Sequence, residues 1–510
     1  MKIAIGSLLL VLLVGSHAVA ADGADRPNII FILGDDMGYG SVAANNPKCT
    51  IPTPHLDRLV AEGMNFTDAH SDTSVCTPTR YGLMTGRYSW RSGLKSGVTW
   101  AFFPSLIEPE VVTVAEVLRD AGYETGMVGK WHLGIDFTNK EGQTIAEELR
   151  LDQHLFVNCG DFSAVNLKYD WKKLDFTQPI KGGPVDHGFN YYFGDDIPNM
   201  PPYVFYRNNR IVEQPTVPKP KEMFGIAGPM VPGWTLEAVM PALAKDARRY
   251  IAQQAEGDRP FFLYFSLNSP HTPIAPSNEF LGKSGLNPYA DWIMQTDAAV
   301  GAVLQSLDEL GIADNTLVIF STDNGSTGKE LNELKKKGCD LLHQFRGQTR
   351  SIYEGGHRVP YIVRWPGRTP KGSSCDATIC LNDFMATAAA IAGVGLAENA
   401  GPDSNNILPL YLGQARAEEP AVIHHDFDGS YAIREGDWKL VFALNRKTKT
   451  FTRELYNLKA DVKETTNVLD KHPEIVARLA QQFETQVRQG RSTPGPRQAN
   501  LEDPDWMLPF

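Results

Sequence analysis

The sequence has no excess of basic residues, because 49 lysines and arginines stand against 60 aspartates and glutamates among its 510 residues, for a formal net charge of −11. This balance argues against a general nucleic-acid-binding protein, which needs a basic face. An anionic substrate is still compatible with it, since a pocket can be positive on an acidic protein. Internal repeats and low-complexity tracts are also lacking, and a hydrophobic content of 42% is enough for a large core.

Long hydrophobic runs are lacking except at the N-terminus, where Lys2 precedes an apolar stretch from Ile3 to Val14. This stretch is short for a membrane span, and residues 18–20 (AVA) have the small side chains of a signal-peptidase site. We therefore predict a signal peptide over residues 1–20, with a membrane anchor as the alternative. The expected mature chain is free of membrane and is exported, being secreted or periplasmic, or lysosomal in a eukaryote.

Cysteine is scarce, and the six residues are Cys49, Cys76, Cys159, Cys339, Cys375 and Cys380. None of them has zinc-ligand spacing with histidines nearby, which argues against a structural zinc site. Export permits disulfides. Cys375 and Cys380 are close enough in sequence to pair, but spacing alone leaves this pairing open.

Apolar runs alternate with amphipathic segments over most of the chain, a pattern typical of a parallel sheet covered by helices. Strands are predicted at 28–33, 123–128, 260–267 and 316–321, and helices at 113–121, 237–253 and 288–310. Residues 140–235 are rich in Pro, Gly, Asn and aromatics and are interpreted as long loops. A hairpin at 430–442 and a helix at 472–488 predict a smaller C-terminal α+β subdomain over 416–510, after a catalytic domain over 21–415.

Polar side chains follow four of the predicted strands. They are Asp35 and Asp36, Lys130 and His132, His271, and Asp323 and Asn324. In open parallel sheets the ligand crevice lies outside the carboxyl ends of the strands, so we expect these residues to meet there. The alternative is that each group is an ordinary polar loop.

The acidic members of this set predict a metal site, because their oxygen donors, without thiolate or imidazole, favour a hard cation such as calcium or magnesium. The candidate ligands are Asp35, Asp36, Asp323 and Asn324. Without a metal, three clustered carboxylates would repel one another and their pKa values would rise.

The segment 76–80 (CTPTR) precedes a predicted short helix at Tyr81–Met84. A helix N-terminus offers free N–H groups and a positive dipole end to an anion. Arg80 adds a forked donor suited to a tetrahedral oxyanion. Composition alone would make Cys76 a buried structural cysteine.

The same segment resembles the Cys-x-Pro-x-Arg signature of the type I, formylglycine-dependent sulfatases of the alkaline phosphatase superfamily. Further stretches match that family in order, so that the resemblance covers most of the chain. They are GDDMGYG at 34–40, GKWHLG at 129–134, HGFNYYFG at 187–194, SPHTP at 269–273, TDNG at 322–325 and YEGGHRVP at 353–360.

The resemblance implies an alkaline-phosphatase-like α/β fold, in which a large, mixed and mostly parallel sheet is sandwiched by helices. It implies a sulfuric ester hydrolase whose nucleophile is formylglycine (3-oxoalanine), made from Cys76 by a maturation enzyme. The implied calcium ligands, with magnesium as the alternative ion, are Asp35, Asp36, Asp323, Asn324 and the modified residue 76. The implied sulfate-site residues are Arg80, Lys130, His132 and His271, with His271 as the proton donor to the departing alcohol.

One position departs from the family pattern, which usually has a lysine four residues before Tyr-Glu-Gly-Gly. Thr349 stands there and Arg350 follows it. Either Arg350 takes over the role after a local shift, or the site works with one cation fewer. Arg350 is therefore a candidate for substrate binding.

The substrate is expected to be a sulfated carbohydrate rather than a small aryl sulfate, because export and long polar-aromatic loops favour a sugar. Candidate sugar contacts are Asp195, Asp196, Asn199 and Tyr203, with a structural loop as the alternative. Two other functions stay open at this point. One is a formylglycine-dependent phosphate or phosphonate ester hydrolase of the same superfamily, and the other is an inactive glycan-binding homologue.

Overall fold

The computed structural model describes residues 26–149, 169–416 and 419–500, so the predicted signal peptide and Cys159 lie outside the described residues. The described strands are β1 (Asn28–Gly34), β2 (Met64–Phe66), β3 (Ala69–His70), β4 (Glu124–Gly129), β5 (Tyr191–Gly194), β6 (Tyr206–Arg207), β7 (Arg210–Ile211), β8 (Val217–Pro218), β9 (Pro229–Met230), β10 (Phe261–Ser266), β11 (Thr316–Thr322), β12 (Tyr361–Arg364), β13 (Ser373–Cys375), β14 (Ile379–Cys380), β15 (Val422–His425), β16 (Tyr431–Glu435), β17 (Trp438–Asn445) and β18 (Thr450–Asn457). The described α-helices are α1 (Pro54–Glu62), α2 (Cys76–Thr85), α3 (Val114–Asp120), α4 (Ile145–Leu149), α5 (Val239–Ala255), α6 (Pro288–Glu309), α7 (Glu330–Lys336), α8 (Glu354–His357), α9 (Phe384–Ala392), α10 (Leu408–Tyr411) and α11 (Pro473–Gln489).

Ten strands form one mixed sheet in the order β13-β2-β12-β11-β1-β10-β4-β5-β6-β7. The central pairs from β11 to β5 are parallel. The flanking strands β12 and β6 run antiparallel to β11 and β5. This confirms the predicted large, mostly parallel sheet, and the four predicted strands lie side by side in it as β11, β1, β10 and β4.

The central strands are buried over their whole length because their sequences are almost continuously apolar, as is usual where helices cover both faces of a parallel sheet. Along β1, Phe31 and Leu33 join the core on one face, whereas Ile30 and Ile32 join the core on the other. Helices α3 and α9 contribute to the first core, and α1, α5 and α6 contribute to the second. The sheet is thereby fixed between two helical layers.

The predicted loop region 140–235 contains more regular structure than expected. Helix α4 and the strands β5 to β9 lie in it, and β5 extends the parallel part of the sheet by pairing with β4. Strand β5 has four residues, too few to give a recognisable periodic pattern between its polar and glycine neighbours.

The C-terminal part contains a four-stranded antiparallel sheet in the order β15-β16-β17-β18, with α11 packed on it. The predicted hairpin corresponds to β16 and β17, and the predicted helix corresponds to α11. Tyr88 and Trp90 of the preceding part belong to the same hydrophobic cluster as this sheet. Among the described residues, no helix has the length and apolar character needed to cross a membrane.

A disulfide joins Cys49 to Cys339, a pairing that sequence spacing did not indicate. The pairing of Cys375 with Cys380 does not occur in the structure, where both are free thiols. Their strands belong to different sheets, since β13 pairs with β2 and β14 pairs with β3, and this separates the two side chains.

Candidate active site

The carboxyl ends of β11, β1, β10 and β4 bring the predicted polar residues together. Lys130 Nζ lies 2.6 Å from Asp35 Oδ2, and the backbone N–H of Asp36 donates to Asp323 Oδ1 at 3.1 Å. Asp35, Lys130 and Asp323 are all completely buried. The strand order explains this convergence, because the loops after four adjacent strands meet at one edge of the sheet.

Helix α2 begins at Cys76 rather than at Tyr81, so the signature cysteine occupies the first helical position. Arg80, one turn later, donates through Nη2 to Asp323 Oδ2 at 2.8 Å and through Nη1 to the carbonyl of Lys130 at 3.2 Å. Burial raises the pKa of the Cys76 thiol to about 12. The unmodified thiol is therefore protonated at neutral pH and is a poor nucleophile.

The three carboxylates respond differently to burial. Burial raises the pKa of Asp36, and it raises that of Asp323 well above the usual range, where the neighbouring Asp35 adds repulsion. Burial also acts on Asp35, but Lys130, His271 and Arg80 together outweigh it and hold the pKa of Asp35 below its usual value. Two of the three carboxylates therefore favour a proton or a cation.

The donor set fits a hard cation. Asp35 Oδ1 and Asn324 Oδ1 are buried and have no hydrogen-bond partner among the described residues. Unpartnered buried acceptors are costly unless something positive occupies the space between them. The four candidate ligands offer oxygen donors, which calcium and magnesium prefer, and His271 Nε2 lies beside them at 3.6 Å from Asp36 Oδ2.

His132 is held as a neutral base. Its Nε2 lies 3.0 Å from the carbonyl oxygen of Thr99, which fixes the proton on that nitrogen, and its Nδ1 is buried without a partner in the described part of the chain. Burial lowers the pKa of His132 well below its ordinary value. The lone pair on Nδ1 is thus available to accept a proton.

His271 has a different environment. Its side chain is 21% exposed, and its Nε2 lies 3.6 Å from Asp36 Oδ2. Its Nδ1 contacts the carbonyl oxygen of Thr272. Nε2 is therefore the ring nitrogen that can exchange a proton with a molecule in the adjacent pocket.

A pocket of about 690 Å³ opens over this site. Its lining includes Asp36, Val75, Cys76, Val98, Trp100, His132, Ile197, Asn199, Met200, Phe224, Gly225, Ile226, His271, Thr272, Asn324, Thr327, Gly328, Gln348, Thr349, Arg350 and Phe427. The volume and the mixture of apolar walls with a few polar groups are typical of a small-ligand site.

The predicted substrate contacts separate into two groups. Asn199 and Arg350 line the pocket. Asp196 instead accepts the backbone N–H of His132 at 3.0 Å, and the hydroxyl of Tyr203 donates to the carbonyl of Ile226 at 2.7 Å. Asp195 is buried, and the burial raises its pKa to about 6. Asp195, Asp196 and Tyr203 are not among the described residues that line the pocket, and their assignment as sugar contacts stays a prediction.

Thr349 belongs to the hydrogen-bond network of the candidate metal ligands. Asn324 Nδ2 donates to its hydroxyl oxygen at 3.0 Å, and this hydroxyl lies 3.3 Å from Asp36 Oδ1. Sequence reasoning also missed Tyr289, whose hydroxyl donates to the carbonyl of Asp36 at 2.7 Å. Tyr289 lies in α6 among apolar residues and carries no local signal of this contact.

Two family models match the chain. The model described as Sulfatase matches residues 27–394, and the model described as N-sulphoglucosamine sulphohydrolase, C-terminal, matches residues 345–491.

The chain belongs to the sulfatase family.

It is therefore a sulfuric ester hydrolase with an alkaline-phosphatase-like fold, as its motifs imply.

Relatives of known name agree with this membership. This sulfatase is 31% identical over 495 residues to the N-acetylgalactosamine-6-O-sulfatase of Bacteroides thetaiotaomicron, covering 91% of this chain and 93% of the relative. It is 34% identical over 443 residues to human arylsulfatase A, covering 86% and 78%. Among solved structures it resembles a B. thetaiotaomicron sulfatase from a study of glycosaminoglycan metabolism, with a TM-score of 0.75, 29% identity, and coverage of 90% and 99%.

Proposed function

We propose that this sulfatase hydrolyses sulfate monoesters of carbohydrates, with formylglycine at position 76 as the nucleophile and calcium as the metal. The observation that carries this proposal is the position of Cys76, at the first residue of α2 in a fully buried cluster of cations and carboxylates, where the thiol itself stays protonated. Export, and maturation by a formylglycine-generating enzyme, are part of the same proposal.

The absent groups would each supply one kind of chemistry. A calcium ion held by Asp35, Asp36, Asp323, Asn324 and residue 76 would neutralise the carboxylates and polarise a sulfate oxygen. Formylglycine would supply a hydroxyl oxygen, from its hydrated aldehyde, where the thiol is unreactive.

The residues of the chain would bind the sulfate and move protons. Burial opposes the charge on Lys130, but the acidic groups around it, Asp35 together with Cys76 and Asp323, outweigh this effect and raise the pKa of Lys130, so that it remains cationic. Lys130 and Arg80 can therefore neutralise sulfate oxygens. His271, which lines the pocket, would protonate the departing alcohol through Nε2, whereas Nδ1 of the neutral His132 would accept a proton.

The carbohydrate assignment rests on two supports. One relative that is similar over most of the chain is named an N-acetylgalactosamine-6-O-sulfatase, and a similar solved structure comes from work on glycosaminoglycan metabolism. The pocket has room for a sugar and presents aromatic side chains, including Trp100 and Phe224. Sugar rings pack well on such surfaces because their C–H faces are apolar.

Sulfate release from N-acetylgalactosamine 6-sulfate tests the nucleophile. Cys76→Ala is expected to abolish turnover without loss of fold, whereas Cys375→Ala, at another free cysteine outside the pocket, should retain it. Mass spectrometry of the active enzyme should show the aldehyde or its hydrate at position 76. Full activity with an unmodified thiol at position 76 would contradict the proposal.

Metal analysis tests the cation independently of turnover. Asp323→Ala should lose bound calcium, because Asp323 is one of the proposed ligands. It should also lose activity, because Asp323 holds Arg80 at 2.8 Å. Stoichiometric zinc in the purified active enzyme, without calcium or magnesium, would instead favour a phosphate ester hydrolase. Release of phosphate from an aryl phosphate would then reveal that activity.

A further inference from the structure

Among the described residues that line the pocket, Arg350 is the one lysine or arginine. It is exposed, whereas Arg80 and Lys130 are completely buried and already paired with Asp323 and Asp35. Asp36 is the one carboxylate in the described lining, and it belongs to the metal site. The rim of the pocket therefore carries one positive charge in addition to the two buried cations assigned to the scissile sulfate.

The backbone of Arg350 is held in an unfavourable conformation. Its φ is +73°, a region that non-glycine residues other than Asn and Asp seldom adopt. The N–H of Arg350 donates to the carbonyl of Ser74 at 2.9 Å, and the N–H of Ser74 donates to the carbonyl of His425 at 3.2 Å. Such strain persists where the surrounding structure imposes it, often at binding sites. These bonds fix Arg350 beside the segment that leads into Cys76.

The side chain of Arg350 is also positioned, by Phe427. Its guanidinium carbon lies 4.5 Å from the centroid of the Phe427 ring. Phe427 lies in the loop between β15 and β16. The buried Asp426 closes this loop by accepting the N–H groups of Asp428 and Ser430 at 2.9 and 2.8 Å. The carbonyl of Phe427 accepts the N–H of Gly97 at 3.0 Å. A guanidinium supported on a ring keeps its in-plane N–H groups available for an oxyanion.

Arg350 cannot replace the missing lysine as a proton donor, because a guanidinium does not deprotonate in proteins. Its chemistry is recognition of a planar or tetrahedral anion through paired N–H groups. The charge is not consumed by an ion pair with a described carboxylate. A ligand anion is the partner that fits.

We propose that Arg350, supported by Phe427, binds a second anionic group of the substrate, so that this sulfatase prefers glycans that carry a carboxylate or a further sulfate beside the scissile sulfate. This inference rests on the proposed sulfatase activity toward carbohydrates. It assigns the β15–β16 loop of the C-terminal sheet to substrate selection. Phe427 is a positioning residue, since it acts through Arg350.

The experiment compares substrates that differ in their second charge. The arms are N-acetylgalactosamine 6-sulfate, N-acetylgalactosamine 4,6-disulfate, and a disaccharide of a uronate with 6-sulfated N-acetylgalactosamine. Arg350→Gln should raise KM for the doubly charged arms about tenfold more than for the singly charged arm, a difference equivalent to about 1.4 kcal/mol. Arg350→Lys should restore part of the affinity. The disulfate and uronate arms show which anion is preferred.

A double-mutant cycle tests Phe427. Phe427→Leu should weaken binding of the doubly charged substrates in the wild-type background and have little further effect in the Arg350→Gln background. Equal loss of kcat/KM on all arms, or a wild-type enzyme without preference for the second anion, would overturn the inference.

Binding to the inactive Cys76→Ala variant separates this inference from the proposed function. Titration calorimetry with the same sugars should show the Arg350-dependent preference without turnover. If the wild-type enzyme releases no sulfate but Cys76→Ala keeps that preference, the proposed function fails and the inference stands. If sulfate is released and the Arg350→Gln substitution leaves binding of the doubly charged sugars unchanged, the inference fails alone.

Discussion

The two histidines of the pocket illustrate how single residues acquire different roles from their surroundings. The carbonyl of Thr99 and complete burial keep His132 neutral. His271 lies at the pocket with its Nε2 near Asp36 and one-fifth of its side chain exposed. Both histidines follow strand ends in sequence, so motif position brought them to attention. Their tautomers and exposure depend on tertiary neighbours and were not readable from the sequence.

Replacement of His271 by alanine tests its assignment as the proton donor. An alkyl sulfate has a poor leaving group that needs protonation, and loss of a general acid typically costs about 10²- to 10⁴-fold in rate. An aryl sulfate with an acidic phenol needs little protonation. We therefore expect His271→Ala to reduce kcat on sugar sulfates by about that factor and on aryl sulfates far less.

The comparison requires steady-state kinetics on both substrate classes, with His343→Ala, at a histidine outside the described pocket lining, as the control. Equal losses on sugar and aryl sulfates would show that His271 does not act as the acid.

Residue-level prediction succeeded where a motif and a strand end coincided, and it failed where a role depends on distant packing. Asp35 and Asp323 were found because each directly follows a strand of the sheet. Phe427 was not found, because its position beside Arg350 results from the docking of a loop 77 positions away in the chain. Asp196 was predicted as a sugar contact from its proximity in sequence to a motif, and the structure adds that its carboxylate accepts the backbone N–H of His132.

At the scale of elements, the turn after β4 shows how closely a strand end is fixed. Gly129 has φ +116°, and a Cβ added to it would lie 1.7 Å from the carbonyl oxygen of Ser266 on β10. Gly122, just before the same strand, has φ +95° and nothing within 4 Å of an added Cβ. The two glycines thus share a restricted conformation but differ in available space.

This difference gives a matched pair of substitutions. Gly122→Ala should cost about 1–2 kcal/mol of unfolding free energy from backbone strain alone. Gly129→Ala should cost more, because β4 and β10 must separate, and should also lower kcat/KM because Lys130 follows directly. Urea unfolding and sulfate release check both effects. Similar losses of stability and activity in the two variants would contradict the importance of the close approach.

Elements with strong local signals were predicted well. Helix α3 begins after Thr113, whose side chain and that of Glu116 form a capping box, and the predicted helix included both. The start of α2 was predicted five residues late, although Pro78 was a signal, since proline is tolerated in the first turn of a helix and disfavoured later. The earlier start matters for the candidate site, because it places Cys76 and Arg80 in the first turns of α2.

At the scale of the whole molecule, the C-terminal sheet meets the rest of the protein through a buried charged cluster. Its members include Asp68, His70, Glu354, His357, His424, Arg434, Lys439 and Glu464. Lys439 Nζ lies 2.8 Å from Glu464 and 3.1 Å from Glu354, and His70 Nδ1 lies 3.0 Å from His357 Nδ1. The subdomain boundary near residue 415 stays a prediction. The cluster itself could not be predicted, because its partners are up to several hundred residues apart.

Three histidines of this cluster approach one another closely, but their geometry disfavours a shared metal ion. His357 and His424 are stacked, with ring centroids 3.9 Å apart and planes inclined by 13°. An ion in the plane of one ring, as nitrogen lone pairs require, would lie well beyond the usual ligand distance of about 2.0–2.1 Å from the other ring. The cluster is therefore better described as a set of neutral histidines among paired charges.

Such a cluster predicts stability that declines in acid. Burial lowers the pKa of His70 to about 3, with further lowering by Arg434 and Lys439, and burial lowers that of the nearby His425 to about 4. In the unfolded chain each histidine has a pKa of about 6.5. Below that value the unfolded state binds more protons than the folded state, so the free energy of unfolding decreases as the pH falls from about 6.5 toward 4, and it is nearly independent of these groups above pH 7.

The slope should approach about 1.4 kcal/mol per pH unit for each histidine that stays neutral. Glu354 adds to the decline at lower pH. Burial would raise its pKa, but Lys439, His70 and Arg434 hold it at about 2, so its contribution is lost as the pH falls below about 4.5.

Urea unfolding at pH 7.5, 6.5, 5.5 and 5.0 measures the slope over the range in which the histidines of the unfolded chain titrate. His425→Gln should lower the unfolding free energy at pH 7.5 and should reduce its slope against pH by the contribution of about one histidine. His472→Gln, at a more exposed histidine, is the matched control. An unfolding free energy that is constant from pH 7.5 to 5.0, or a slope unaffected by His425→Gln, would show that these histidines bind protons as readily in the folded protein as in the unfolded chain.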